Sequence, residues 1–185
     1  MLKLYGGARS RASIVHWYLE ELGISYEFLK LDMQTGEHLK PEYLAINPFG
    51  RVPAIVDGEF QVWESGAILL YLADKYSKTP LLAEERAVFS QWVLFANATL
   101  GPGLFGEENR EREMPRLLTS LNEIFSKQPF LVGNELTVAD VAVGSILNYI
   151  SLILKLDFSP YPEVLNYMKQ LSERPAFQKS ISGRG

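Results

Sequence analysis

Cysteine is absent from the 185-residue sequence, and histidine occurs only twice, as His16 and His38. No disulfide framework, thiolate metal site or cysteine nucleophile can be built from such a chain. Two histidines alone make a metal centre a poor expectation. Any sulfur chemistry must therefore use a sulfur brought by a ligand. Long apolar runs are missing too: nowhere do roughly 18 uninterrupted apolar residues occur, and Met1-Leu2-Lys3-Leu4-Tyr5-Gly6-Gly7 lacks the basic start and apolar stretch of a signal peptide. The expectation is a cytoplasmic protein with no membrane partner. A basic excess is lacking as well. The net charge is -4, and the 18 lysines and arginines are spread along the chain, which argues against a nucleic-acid partner. Without internal repeats or low-complexity segments, solenoid and linker readings fall away.

What is present suffices for a sizeable core. With 47% apolar and 22% charged residues, the chain lies between one generous domain and two small ones. Leu2 to Tyr5 form a short apolar run broken by Gly6-Gly7, after which Ala12, Val15, Leu19 and Leu22 recur at helical spacing up to a stop at Gly23. Tyr26, Phe28 and Leu31 suggest a second strand, completing a βαβ unit. A polar stretch from Asp32 to Lys40 and a short helix around Pro41 to Ile46 come next. Val52 to Val56 and Phe60 to Trp63, separated by Asp57-Gly58-Glu59, read as a hairpin, and Ala67, Ile68, Tyr71, Leu72 and Lys75 continue as a helix. A ββα unit thus follows the βαβ unit. Beyond the break at Lys78-Thr79-Pro80 the pattern is helical: Glu84 to about Leu100, Pro115 to Ser126, Thr137 to Leu154, Pro162 to Ser172 and Pro175 to Ile181. The expected domains are therefore 1–77, mixed α/β, and 84–185, all-helical. Because the helix after Thr137 has no wide polar face, it should cross the middle of the second domain, opened by a Thr137/Asp140 capping box.

Two stretches point to chemistry. In Ile46-Asn47-Pro48-Phe49-Gly50-Arg51-Val52-Pro53-Ala54-Ile55, a proline opens an apolar strand directly after a valine. Such a proline lies at a sheet edge or is cis. Further on, Trp63-Glu64-Ser65-Gly66 places an acid and a hydroxyl at a helix start, where unpaired N–H groups and the dipole favour an anion.

Over essentially its whole length the sequence resembles the cytosolic glutathione transferase family, the compact bacterial-type, serine-type or chi-like classes above all. The resemblance implies a thioredoxin-like N-terminal domain followed by a C-terminal helical bundle. It implies a cis Val52–Pro53 bond whose exposed backbone pairs with the cysteinyl part of glutathione, Ser65 on the γ-glutamyl carboxylate, and Glu64 near the amino group. Reduced glutathione is then a co-substrate, with no tightly bound cofactor. Glutathione carries two carboxylates that want partners, and Lys40 and Arg51 could meet the glycyl one. Gln34 and His38 lie nearby in sequence, His38 reading equally as a contact or as a loop histidine. Phe49 resembles the aromatic key that some classes insert into a partner subunit, or is a locally packed ring. A homodimer is implied.

The thiol-activating group is open among several residues. Ser10, five residues after Tyr5, has the spacing of serine-type members. Tyr5 with Arg9 and Arg11 resembles the tyrosine-type pattern, and either arginine could act by charge. Lowering a thiol pKa by two units from about 8.5 needs about 2.7 kcal/mol of preference for the thiolate. One hydrogen bond to a charged acceptor supplies about 1.5–3 kcal/mol, so a donor suffices and no base is required. The second domain should supply the electrophile pocket through Phe95, Leu104 and Phe105, with Trp92 reading as core. Small electrophiles such as isothiocyanates or aryl halides suit so short a chain, and detoxification follows as the expected role. A non-catalytic glutathione-binding or protein-interaction module of the same fold is the alternative. Disulfide reduction usually uses a cysteine in this family.

Overall fold

The computed structural model describes residues 1–7 and 10–182. Two compact units divide it: Met1–Pro80 together with the segment from Pro175, and Leu81–Arg174.

The first unit carries a four-stranded sheet ordered β2-β1-β3-β4, with β1 at Leu2–Gly6, β2 at Tyr26–Lys30, β3 at Ala54–Asp57 and β4 at Phe60–Trp63. β1 runs parallel to β2 and antiparallel to β3, Tyr5 facing Ala54, and β3 is antiparallel to β4. This is the thioredoxin-like βαβ–ββα arrangement that the sequence predicts. Helix α1 (Ala12–Leu22) buries Ala12, Ile14, Val15, Trp17, Tyr18 and Leu19, and ends where Gly23 adopts φ 65° and donates its N–H to the Glu20 carbonyl. A 3₁₀ turn at Glu37–Leu39 and helix α2 (Pro41–Leu44) lead into the loop before β3. Helix α3 (Ser65–Lys75) packs on α1 and buries Ile68, Leu69 and Leu72.

The second unit holds α4 (Ala83–Leu94), which runs on as a π-helix over Phe95–Leu100, then α5 (Gly101–Phe105), α6 (Glu107–Phe125), α7 (Val138–Leu154) and α8 (Pro162–Ser172). Helix α6 starts earlier than the Pro115 expected from the sequence. Its first two turns, Glu107 to Met114, offer no apolar stripe, and a proline suggests a first turn, yet Pro115 lies inside the helix and only Leu117, Leu118, Leu121 and Phe125 beyond it are buried. As expected, α7 is buried from Val138 to Ile150 apart from half-buried Tyr149, while Leu152 and Ile153 in its last turn are exposed. The Thr137 hydroxyl accepts from the Ala139 N–H at 3.3 Å while the Asp140 carboxylate accepts from the Thr137 N–H at 2.9 Å. Asp140 also accepts from the Leu131 N–H at 2.8 Å and the Tyr167 hydroxyl at 3.0 Å. Among the described residues no helix is long and apolar enough to cross a membrane.

The segment from Pro175, which the sequence reading assigns to the second domain, groups by its contacts with the first unit. Helix α9 (Pro175–Phe177) and the π-turn Gln178–Ser182 lie on α1 instead. Phe177 meets Trp17 edge-on at 4.9 Å, and the Lys179 ammonium reaches the Glu20 carboxylate at 2.8 Å. The first unit is thus built from two stretches of chain, residues 1–80 and the segment from Pro175.

Candidate functional site

The first unit contains a cavity of about 670 Å³ lined by Arg11, Met33, His38, Leu39, Asn47, Phe49, Gly50, Arg51, Val52, Pro53, Glu64 and Ser65. Three local features bring these distant residues together. Gly50 has φ 59°, and a Cβ there would approach the His38 carbonyl to 2.9 Å and Leu39 Cδ2 to 2.8 Å, so only glycine lets this loop close on the 3₁₀ turn. The Val52–Pro53 peptide is cis, as the family resemblance implies, and both residues precede the β1–β3 ladder that opens at Tyr5–Ala54. Glu64, at φ 69°, is a non-glycine residue in the left-handed region immediately before α3. Such backbone costs about 1–3 kcal/mol and persists where its surroundings over-determine it.

Ser65 is buried at the N-terminus of α3, where backbone N–H groups and the helix dipole favour an anion. Arg11 and Arg51 line the same cavity, against the single carboxylate of Glu64. Its wall also holds the Nδ1 of His38, a buried nitrogen without a hydrogen-bond partner among the described residues. An unpaired buried polar atom is costly, and this one belongs to a residue of the cavity wall. With two arginines, a histidine, a helix N-terminus and exposed backbone, the arrangement suits a small peptide bearing carboxylates.

Of the residues expected from the sequence, Arg11, Arg51, Val52, Pro53, Glu64 and Ser65 come together around the cavity. Lys40 does not: its side chain is 58% exposed and pairs with Glu37 at 3.8 Å. Ser10 adjoins Arg11 in the chain but does not line the wall. Its Oγ accepts from the N–H groups of Gly7 and Ala12, at 3.2 and 3.3 Å, and donates to the Gly7 carbonyl at 2.9 Å. Those two N–H groups polarise the hydroxyl, and its proton must leave the Gly7 carbonyl to serve another acceptor. Tyr5 is half-buried on β1 and does not line the cavity, its ring centroid 5.7 Å from that of Tyr43. Arg9 is outside the described residues. In the helical unit Leu104 is fully buried, whereas Phe105 is exposed and Phe95, with Trp92 edge-on at 5.5 Å, is half-buried. Phe49 is exposed and meets Trp63 edge-on at 5.1 Å.

Met33, Asn47 and Tyr43 had no motif to announce them. Met33 fills the space beside Gly7, where a Cβ would meet its Cγ at 2.6 Å.

Residues 1–74 match the family model of the glutathione S-transferase N-terminal domain, and residues 103–182 match one for the C-terminal domain. The chain is 32% identical to the disulfide-bond oxidoreductase YfcG of Escherichia coli, covering 98% of this chain and 94% of that protein. It belongs to the cytosolic glutathione transferase family. A crystal structure of the glutathione transferase URE2P6 from Phanerochaete chrysosporium, in complex with oxidized glutathione, superposes with a TM-score of 0.83 at 35% identity over 99% of this chain and 96% of that one. Another, of a glutathione transferase from Burkholderia graminis with two glutathione molecules per subunit, gives 0.82 at 27% identity over 98% and 87%. Membership in this family makes the chain an enzyme of the glutathione transferase class with glutathione-dependent activity.

Proposed function

We propose that the enzyme binds reduced glutathione in this cavity, holds its sulfur as a thiolate and conjugates it to small electrophiles. The observation that carries the reading is the one cavity wall that brings Arg51, cis Val52–Pro53 and the Glu64–Ser65 helix start together, with His38 among its residues. The γ-glutamyl carboxylate goes to Ser65 and the α3 N–H groups, its amino group to Glu64, the cysteinyl backbone to Val52, and the glycyl carboxylate to Arg51 with His38. Ser10 then rotates its proton from the Gly7 carbonyl to the thiolate, with Arg11 adding favourable charge and Tyr5 a second possible donor. Because Lys40 is paired with Glu37, it takes a lesser part than Arg51. With Leu104 enclosed, the electrophile pocket falls to Phe95 and Phe105. A cytoplasmic homodimer, with Phe49 near the partner, and a role in detoxification complete the reading.

A second reading has its own support: one relative is named a disulfide-bond oxidoreductase, and the URE2P6 complex holds oxidized glutathione. A cysteine-free chain can run this chemistry with two glutathiones. The first thiolate attacks a disulfide sulfur, the S–S bond breaks, and one substrate thiolate leaves and takes a proton from water. A second glutathione thiolate then attacks the mixed disulfide, releasing the other substrate thiol and glutathione disulfide. Steady-state assays with an aryl halide, an isothiocyanate and a small dialkyl disulfide, each across pH, separate the readings. Turnover above the spontaneous rate on the electrophiles is expected. Turnover on the disulfide alone would install the second reading, and turnover on none, with glutathione still bound, would leave a binding module.

A further inference from the structure

The loop Asn47–Pro53 holds a polar arrangement that sequence motifs do not announce. Tyr43 and Asn47 are 3% and 2% exposed, yet both are polar, and both donate to one acceptor, the Arg51 carbonyl. The Tyr43 hydroxyl reaches it at 2.6 Å and the Asn47 Nδ2 at 2.6 Å. At its other end the Asn47 amide accepts the Phe49 N–H through Oδ1 at 3.1 Å. Since an N–H can only donate and a carbonyl only accept, these partners settle which end of the amide is which.

One carbonyl taking two buried donors is pinned. The Arg51–Val52 peptide is trans, the cis bond being the next one, and in a planar trans peptide the C=O and N–H point in opposite directions. Drawing the Arg51 carbonyl toward Tyr43 and Asn47 therefore turns the Val52 N–H the other way. Val52 lines the cavity, and the β1–β3 ladder begins only at Ala54. Were this peptide to flip, the N–H would face two buried donors and three polar groups would be stranded, the costly half of the hydrogen-bond asymmetry. Burial pushes the Tyr43 phenol up to about 12, so it remains a donor at any ordinary pH.

We propose that Tyr43 and Asn47 are positioning residues for glutathione, which hold the Arg51–Val52 peptide so that the Val52 N–H is presented to the cysteinyl carbonyl of the ligand. The inference rests on the glutathione reading of the cavity. Neither residue touches the reacting sulfur. Both act through a backbone group, so their removal weakens one particular contact and leaves the chemistry on the thiolate unchanged.

The test is calorimetric binding of two probes to the whole enzyme: S-methylglutathione, and its isostere in which a trans-alkene replaces the cysteinyl–glycyl amide, keeping the shape and losing the carbonyl acceptor. Wild type is expected to prefer S-methylglutathione by about three- to tenfold, the worth of one neutral hydrogen bond plus its desolvation. Tyr43→Phe, which removes only a hydroxyl, should shrink that preference, and the Tyr43→Phe/Asn47→Asp pair should bring it to within about twofold of parity. In turnover, KM for glutathione should rise while kcat holds. An unchanged preference in the variants, both probes weakening together, would mean that the two residues only stabilise the loop, and would overturn the proposal while leaving glutathione binding intact. Equal affinity of wild type for the probes would also overturn it. Failure of wild type to bind either one would remove the glutathione reading itself.

Discussion

Ser10 is held by its own backbone surroundings. With the Gly7 and Ala12 N–H groups on its oxygen, the hydroxyl has a single proton to place, on the Gly7 carbonyl or on a thiolate. Ser10→Ala is expected to retain glutathione and to raise the bound thiol pKa toward the free value of about 8.5, followed as the pH dependence of thiolate ultraviolet absorbance; Ser10→Thr should restore most of the shift. An unchanged pKa in the alanine variant would move the role to Tyr5 or Arg11. His38 has a different signature. His38→Ala should weaken glutathione by about three- to tenfold, yet leave affinity for γ-glutamylcysteine, which lacks the glycyl carboxylate, nearly unchanged. Equal loss on both ligands would place the histidine elsewhere in the site. A single loop histidine has no periodicity and no fixed partner in the chain, so the sequence left its role open. Only the close approach of Gly50 to the 38–39 turn brings it to the cavity wall.

Among the elements, those with strong local grammar were legible beforehand and those without it were not. The Asp-Gly hairpin, the Gly23 stop and the Thr137/Asp140 box each solve a local backbone problem with a recognisable side chain, and each occurs where the sequence places it. The start of α6 escaped because its first two turns, Glu107 to Met114, carry no apolar stripe. The π-helix at Phe95–Leu100 escaped because an extra residue in a turn leaves the apolar spacing almost unchanged. At the start of α7, burial raises the Asp140 carboxyl, and its hydrogen bonds from Leu131, Thr137 and Tyr167 lower it only in part. Asp140→Ala strands four donors, the N–H groups of Leu131 and Thr137 and the hydroxyls of Thr137 and Tyr167, and should cost about 3–5 kcal/mol by chemical denaturation. Asp140→Asn keeps one acceptor and should cost less. Equal losses would show that packing, not hydrogen bonding, sets the requirement.

Across the first unit, the segment from Pro175 is held against α1 by Phe177 on Trp17 and by Glu20, on which His16, Tyr26 and Lys179 converge. Burial lowers the His16 pKa below 6.5, partly offset by Glu20. Burial alone would raise Glu20, but the bonds from Lys179 and Tyr26 outweigh it and hold the carboxyl below 4.5. Both shifts favour the folded state at higher pH. The His16 contribution is present above 6.5 and erodes as pH falls through that value, while that of Glu20 is lost further down, below 4.5. Thermal midpoints should therefore decline on acidification from neutrality, and decline less in His16→Gln. Identical slopes would exclude the histidine. Phe177→Ala, emptying the site over Trp17, should cost about 3–5 kcal/mol. That the segment belongs to this unit could not be read from its own residues, because the partner face lies more than 150 positions away, between Trp17 and Lys179.

Such a two-piece unit also sets an order of events at the ribosome. The sheet and α1 emerge early, but the Trp17 face has no cover until everything between residue 81 and residue 174 has been made. For that interval an aromatic surface meant for Phe177 is open to chaperones and to neighbouring nascent chains. The helical unit, whose residues are contiguous, is complete first. Assembly of the first unit thus waits on the segment from Pro175.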